Sequence, residues 1–323
     1  MSRLRLAAVL LALGLSAAAC GGGSGGATGP TAPTSPDRSQ IVAIVASVDL
    51  YTGAPQRVTV GLVTNDNRLV SYGTATFAFS YLGASDQPAQ PEPGPSATAT
   101  FIPTYGTDGS GGEEPRITLP SEARGVYEAS GVTFDRAGFW RVDVGVDVQG
   151  LGPQTAAASF AVADEPALPA PGDPAPATEN LTLASEGVPE AAIDSRAVTE
   201  GKIPDPELHR ATIAQAIAEH RPALVVFATP VYCVSQFCGP VTDMVQDLAH
   251  RYRGRAVFIH VEIWKDYEAQ QLNDAAVEWL RMPNGDLTEP WLFLIGPDGR
   301  ILDRWSSLWS EQEVAAALEA LPR

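Results

Sequence analysis

Residues 223–245, ALVVFATPVYCVSQFCGPVTDMV, hold the pattern that decides the fold of the second half of this 323-residue chain. The first six residues are continuously apolar, which is typical of a short strand that is covered on both faces. Cys233 and Cys238 follow, with four residues between them. Apolar residues after Cys238 recur at helical spacing. The stretch therefore predicts a buried strand, a loop with two cysteines and a helix, in that order.

The rest of the C-terminal half alternates amphipathic and apolar segments in the same way. Amphipathic segments with a period of about 3.6 residues predict helices, and short apolar runs between turn residues predict strands. The predicted helices cover residues 206–220, 238–252, 274–281 and 310–318, and the predicted strands cover residues 223–228, 256–263, 291–295 and 300–305.

With its elements in this order, the segment 206–321 resembles the thioredoxin-like family. The likeness rests on a buried strand before paired cysteines, a helix that begins at the second cysteine, and Glu289-Pro290 at the entry to a later strand. The resemblance implies that a cis peptide bond precedes Pro290 beside the cysteine loop, where the backbone of Glu289 faces a bound thiol partner. It also implies that Tyr232 and Trp291 belong to this substrate-binding site.

The spacing of the cysteines departs from the family, whose exchange motif has two residues between its cysteines. If the loop is expanded by two residues, Cys233 is the catalytic nucleophile, Cys238 is the resolving cysteine, and the helix stays in phase. The alternative alignment places FCGPV on the family's WCGPC motif, which makes Cys238 the nucleophile and leaves Val241 where the resolving thiol should be. Because a helix rises about 1.5 Å per residue, Cys233 must lie in the loop if the two sulfurs bond. Cys238 then lies near a helix N-terminus, where unpaired N–H groups favour a thiolate.

The N-terminal segment has the pattern of a targeting sequence. Two arginines precede an apolar run, and small residues then lead to Cys20 and a glycine-rich stretch. Residues 1–20 resemble the signal peptide of bacterial lipoproteins, which implies that Cys20 is lipidated and anchors the protein to the cell membrane. An ordinary secretory signal cleaved near Ala19 is the alternative. Both interpretations predict an extracytoplasmic location, and residues 21–39 are predicted to be a flexible tether.

The middle of the chain predicts a different kind of fold. Residues 40–163 contain seven apolar or alternating runs separated by turn residues, which predict an immunoglobulin-like β-sandwich. Tyr127 and Trp140 are expected in its core. A proline-rich linker is predicted at 164–180, and residues 181–323 then form the second domain. The predicted fold class is therefore multidomain, an N-terminal all-β immunoglobulin-like sandwich plus a C-terminal α/β thioredoxin-like domain.

Charge and cysteine content narrow the function. The net charge of −17 disfavours nucleic acid as an electrostatic partner. An extracytoplasmic compartment permits disulfides, so that Cys233 and Cys238 are expected to be bonded at rest. We therefore expect a membrane-tethered thiol–disulfide oxidoreductase that uses this pair on protein thiols and disulfides of the cell envelope, without a cofactor.

Two other functions stay open. The cysteines could form a structural disulfide in a non-catalytic binding or scaffold protein of the envelope. They could also hold copper(I), because two thiols and a histidine suit that ion. However, the last histidine, His260, falls within a predicted core strand, and no residue is assigned to a metal.

Overall fold

The computed structural model describes residues 40–85, 90–107 and 112–322. The predicted signal peptide, the predicted lipidation site at Cys20 and the predicted tether lie outside the described residues. Among the residues that the structure describes, no helix combines the length and the apolar character needed to cross a bilayer.

The alternating runs of the first half form nine strands of one antiparallel sheet. Along this sheet the order is β6-β3-β2-β7-β5-β4-β8-β9, and β1 pairs with β2. The strands are β1 (Ile41–Val45), β2 (Gln56–Thr64), β3 (Leu69–Ser71), β4 (Thr74–Gly83), β5 (Glu92–Pro103), β6 (Arg116–Thr118), β7 (Gly125–Val132), β8 (Gly138–Val148) and β9 (Gly152–Val162).

The sheet encloses its own aromatic core. Phe134 packs edge-on against Phe79 and Trp140, with ring centroids 5.5 Å and 4.9 Å apart. Tyr127 is fully buried, and its hydroxyl donates a 2.7 Å hydrogen bond to the carbonyl of Tyr72. The predicted core positions of Tyr127 and Trp140 are therefore confirmed.

The second half forms a four-stranded sheet with the order β11-β10-β14-β15. Strands β10 and β11 are parallel, and β14 runs antiparallel to both β10 and β15. The elements are α1 (Ala197–Glu200), α2 (Ile213–Ala218), β10 (Ala223–Ala228), α3 (Cys238–Arg251), β11 (Val257–Glu262), β12 (Trp264–Asp266), β13 (Gln271–Leu272), α4 (Asp274–Leu280), β14 (Trp291–Ile295), β15 (Ile301–Ser306) and α5 (Glu311–Glu319), with 3-10 helices at Glu190–Ala192 and Pro206–His209.

Helices cover both faces of this sheet. Neighbouring side chains of a strand point to opposite faces, so that each face packs against its own helices. Val226 of β10 belongs to a cluster with residues of α3 and α5, whereas Phe227 packs on the other side with residues of α2 and α4. This double coverage explains why β10 is continuously apolar, as the sequence predicted.

The predicted fold class is wrong, because the described residues do not divide into a β-sandwich and a separate C-terminal α/β domain. Residues Ser39–Arg323 form one compact unit, and Val126 of β7 shares a hydrophobic cluster with residues of α3 and α5. The first half is also one continuous hydrogen-bonded sheet of nine strands, and not two separate sheets. The physical reason is apolar burial between the halves, which a proline-rich composition does not reveal.

The proline-rich segment 164–180 packs on the edge of the second sheet. Leu168 and Ala170 are buried, and the backbone N–H groups of Gly172 and Ala175 donate to the carbonyls of Ile301 and Gly299. Through these contacts the proline-rich segment, which was predicted to be a linker, belongs to the packed unit.

Two arginines join the halves, the buried Arg304 and the half-buried Arg57. Arg304 of β15 donates from Nη1 to Asp49 at 2.7 Å and from Nη2 to the Asp49 carbonyl at 3.1 Å. Its guanidinium also lies over the rings of Tyr51 and Trp291. Arg57 of β2 binds both carboxylate oxygens of Asp303 at 2.9 Å. The side chains of Arg304 and Asp49 are 8% and 1% exposed, so that this pair is shielded from solvent.

We predict that Arg304→Met lowers the free energy of unfolding by about 3–5 kcal/mol, because it leaves the buried Asp49 carboxylate without its positively charged partner, with only the N–H groups of Ala167 and Leu168 as donors. Urea denaturation of residues 39–323 measures this loss. The control is Arg136→Met, which removes ion pairs of an exposed arginine and should cost far less stability than Arg304→Met, because solvent screens exposed ion pairs. Equal midpoints for Arg304→Met and the unaltered protein would show that the pair does not join the halves.

Candidate functional site

A disulfide joins Cys233 to Cys238, as predicted, with Cα atoms 6.0 Å apart. Cys233 lies in the loop between β10 and α3, and Cys238 is the first residue of α3. Both positions agree with the geometric argument from the sequence. The N-terminal N–H groups of this 14-residue helix lie next to Cys238 and stabilise negative charge on its sulfur.

The two sulfurs differ in their access to solvent. Cys238 is fully buried, whereas Cys233 is partly exposed, and Val234 beside it is 96% exposed. The Cys233 Sγ also lies 3.2 Å from the hydroxyl of Ser235. An external thiol or thiolate therefore meets the sulfur of Cys233 first.

A cis peptide bond joins Glu289 to Pro290, as the family resemblance implied. It lies immediately before β14, which pairs with β10. The side chain of Glu289 turns inward, where its Oε2 accepts a 2.8 Å hydrogen bond from the N–H of Thr229. The same oxygen lies 3.6 Å from the Sγ of Cys238. Glu289 was expected to face a thiol partner with its backbone, and its side-chain carboxyl also lies against the disulfide.

Burial raises the pKa of Glu289 to about 8. This value is the net result of several causes, because the neighbouring carboxyl of Glu262 also raises the pKa of Glu289, whereas the N–H of Thr229 and the charge of His260 lower it. At neutral pH the Glu289 carboxyl is therefore mostly protonated and can give a proton to the sulfur beside it.

An apolar pocket of about 460 Å³ opens at the disulfide and is built by both halves of the protein. Cys233 and the cis-proline segment form one side, and Ala46 and Val48, which follow β1, form another. The remaining lining residues are Val234, Ser235, Phe237, Leu287, Thr288, Glu289, Pro290, Trp291 and Ser307.

The structure places the predicted substrate-binding residues in two locations. Pro290 and Trp291 are buried and line the pocket, and the indole Nε1 of Trp291 donates to the hydroxyl of Thr288 at 3.1 Å. Tyr232 is not among the pocket-lining residues. Its ring stacks instead on Tyr267, with centroids 3.9 Å apart and an interplanar angle of 2°. Tyr232 therefore belongs to an aromatic surface next to the pocket.

A buried charged network beneath the site was missed by the sequence analysis. Arg196 Nη2 lies 2.6 Å from Asp194 Oδ2 and 2.5 Å from Asp205 Oδ2. His209 and His260 lie 3.3 Å and 3.4 Å from the same oxygen of Asp194. Burial alone would raise the pKa of Asp194, but hydrogen bonds from its neighbours hold it below its ordinary value. The available signal was the pair of polar residues in the otherwise apolar run AVFIHVEI.

Glu262, the second polar residue of that run, connects this network to the cysteine loop. It is almost completely buried, which raises its pKa, and its Oε2 accepts a 2.8 Å hydrogen bond from the N–H of Ser195. The hydroxyl of Ser195 accepts in turn from the N–H of Val231, at 3.2 Å, two residues before Cys233. The loop that carries the nucleophile candidate is thus held by a hydrogen-bonded path from the core.

Two groups of described side chains have the atoms to hold a metal ion, Asp194 with His209 and His260, and Cys233 with Cys238 and Glu289. In the first group the guanidinium of Arg196 is already bonded to the Asp194 carboxylate, so that this group acts as an ion-pair network. The second group is available only when the disulfide is reduced.

Comparison with known proteins identifies no matching family model and no curated protein with significant similarity to the chain.

We predict that Glu289 makes the stability of the oxidised protein fall as pH rises. The unfolded carboxyl loses its proton near its ordinary pKa of 4.5, whereas the folded one keeps it up to about 8. Between these values unfolding releases this proton, so that the free energy of unfolding decreases with pH in that interval and levels off above it. At ~1.4 kcal/mol per pKa unit, the effect amounts to a few kcal/mol.

Urea denaturation between pH 4 and pH 9 tests this dependence. Glu289→Gln should flatten the profile, and Glu268→Gln, which changes an exposed acid, should leave it unaltered. Parallel profiles for Glu289→Gln and the unaltered protein would contradict the assignment.

Proposed function

We propose that this chain is a thiol–disulfide oxidoreductase that exchanges with protein thiols and disulfides of the cell envelope. The observation that carries the proposal is the asymmetry of the cysteine pair. A partly exposed Cys233 is bonded to a fully buried Cys238, which begins a long helix and lies 3.6 Å from the carboxyl group of the half-buried Glu289. Such a pair has one sulfur for the partner and one that is reserved for resolution.

The exchange steps can be written from the oxidised form. A partner thiolate attacks the Sγ of Cys233, the Cys233–Cys238 bond breaks, and its electron pair goes to the sulfur of Cys238. That sulfur takes the proton of Glu289, which regains a proton from water. A second thiolate of the partner then attacks the partner sulfur of the mixed disulfide. Cys233 leaves as a thiolate and takes a proton from water.

The net result oxidises a partner dithiol to a disulfide and moves two electrons and two protons to the cysteine pair. The reverse sequence reduces a partner disulfide. In that direction the ionised form of Glu289, which is the minority form at neutral pH, accepts the proton of Cys238, and the resulting thiolate resolves the mixed disulfide.

Both halves of the protein support the proposed partner site. The pocket beside Cys233 is wide enough for an apolar side chain of a partner, and two of its lining residues come from the first half of the chain. The β-sheet half thereby takes part in recognition, in addition to its structural role.

Membership in the thioredoxin-like family and attachment to the membrane through Cys20 belong to the same proposal. The first is supported by the order of strand, cysteine loop, helix and cis-proline, and the second by the sequence pattern of residues 1–20. The extracytoplasmic location is proposed on that pattern alone.

We predict that Cys238→Ser accumulates a mixed disulfide with a disulfide-containing peptide, because Cys233 attacks and no thiol resolves the adduct. Cys233→Ser should form much less of it, because Cys238 is buried. Non-reducing electrophoresis and mass spectrometry of residues 39–323 measure both. If Cys233→Ser is the variant that traps the peptide, Cys238 is the nucleophile and the alternative alignment is right.

We also predict that the reduction potential of the pair lies between roughly −120 and −270 mV, the range of exchange-active dithiols. Equilibration in glutathione buffers followed by thiol trapping measures it. A potential below about −300 mV would identify a structural disulfide and would favour the non-catalytic binding function.

A further inference from the structure

We infer that the reduced protein binds one thiophilic divalent cation of the zinc type through Cys233, Cys238 and Glu289. The inference deepens the proposed function, because it rests on the same cysteine pair in its reduced state. One donor atom of each residue lies within 4.8 Å of the other two. Two thiolates and one carboxylate form a donor set that zinc accepts.

The distance between the Glu289 carboxyl and the Cys238 sulfur suits two ligands of the same metal ion. Zinc binds thiolate at about 2.3 Å and carboxylate oxygen at about 2.0–2.2 Å, so that the S···O edge of a tetrahedral site is about 3.5–3.7 Å. Glu289 Oε2 and Cys238 Sγ already lie 3.6 Å apart. The edge between the buried Cys238 and the Glu289 carboxyl, which the N–H of Thr229 holds in place, therefore already has the required length.

The third donor can adjust to complete the site. After reduction the two sulfurs must separate to about 3.8 Å to bind the same zinc ion. Cys233 can make this movement, because it lies in the loop between β10 and α3, with exposed residues on its C-terminal side. Three protein donors leave a fourth position on the side of the pocket, where water or a partner thiolate can bind.

The charges around the site favour a cation. No lysine or arginine occurs between residues 223 and 250. Among the described residues, neither a lysine nor an arginine forms an ion pair with Glu289. When a dication binds, two thiols and one carboxylic acid release three protons to water, so that three negative donors surround two positive charges. His260 opposes binding, because its positive charge also faces Glu289.

The donor set favours zinc over copper(I). Copper(I) prefers soft sulfur ligands and imidazole, whereas the third donor here is a carboxylate. Both buried histidines belong to the Asp194 network.

The redox state of the cysteines controls metal binding, since the disulfide uses both sulfurs and leaves only Glu289 as a donor. A dithiol reductant, itself oxidised to a disulfide, converts the closed form into the metal-binding form.

The test is a zinc titration of residues 39–323, reduced by a phosphine under anaerobic conditions and monitored by competition with a chromophoric chelator. We expect one zinc ion per chain, bound at least about 100-fold more tightly than by the oxidised protein. Cys233→Ser and Cys238→Ser should lose this site. Glu289→Gln should bind at least about 10-fold more weakly, and Glu268→Gln should bind as the unaltered protein does.

Cobalt(II) provides a second readout, because thiolate-to-cobalt charge-transfer absorption reports the sulfur ligands directly. Circular dichroism of each variant shows whether it is folded. Equal zinc affinity of the reduced and oxidised proteins, or of Glu289→Gln and the reduced unaltered protein, would overturn the inference. Zinc binding without peptide trapping would contradict the proposed exchange activity and support the metal site. Peptide trapping without zinc binding would support the exchange activity and overturn the metal site.

Discussion

The carboxyl group of the half-buried Glu289 lies 3.6 Å from the sulfur of Cys238, and the chemistry of the site depends on how far this carboxyl is shielded from water. In water this carboxyl would ionise below neutral pH, whereas burial raises its pKa to about 8. It can therefore exchange protons with a thiol, whose ordinary pKa is close to this value. The contact requires three elements in register, namely the end of β10, the first turn of α3 and the entry to β14.

The β-sheet half contributes to the site through the segment after β1. Arg304 holds Asp49, and the hydroxyl of Ser307 donates a 2.6 Å hydrogen bond to the carbonyl of Ala46. These contacts place Ala46 and Val48 against the cis-proline segment, where they form one side of the pocket. The guanidinium of Arg304 also stacks on Trp291. The same ion pair thus joins the two halves and shapes the pocket.

Much of the local structure could be predicted from the sequence. The strands at 223–228 and 291–295, the helix that begins at Cys238 and the disulfide all follow from patterns within a few residues, and the structure confirms them. The cis peptide bond before Pro290 was anticipated through the family resemblance. The predicted fold class was wrong. The proline-rich composition of residues 164–180 predicted a linker between two domains, whereas this segment packs against the second sheet.

The sequence by itself determined the two cysteines, their place between a strand and a helix, and the acidic residue before Pro290. Only the tertiary structure decided which cysteine is buried, that the Glu289 side chain points at it, and that Arg196, Asp194 and their histidines form a buried network. The physical reason is that these contacts join residues far apart in the chain. Their energies depend on burial and distance, which local periodicity does not encode.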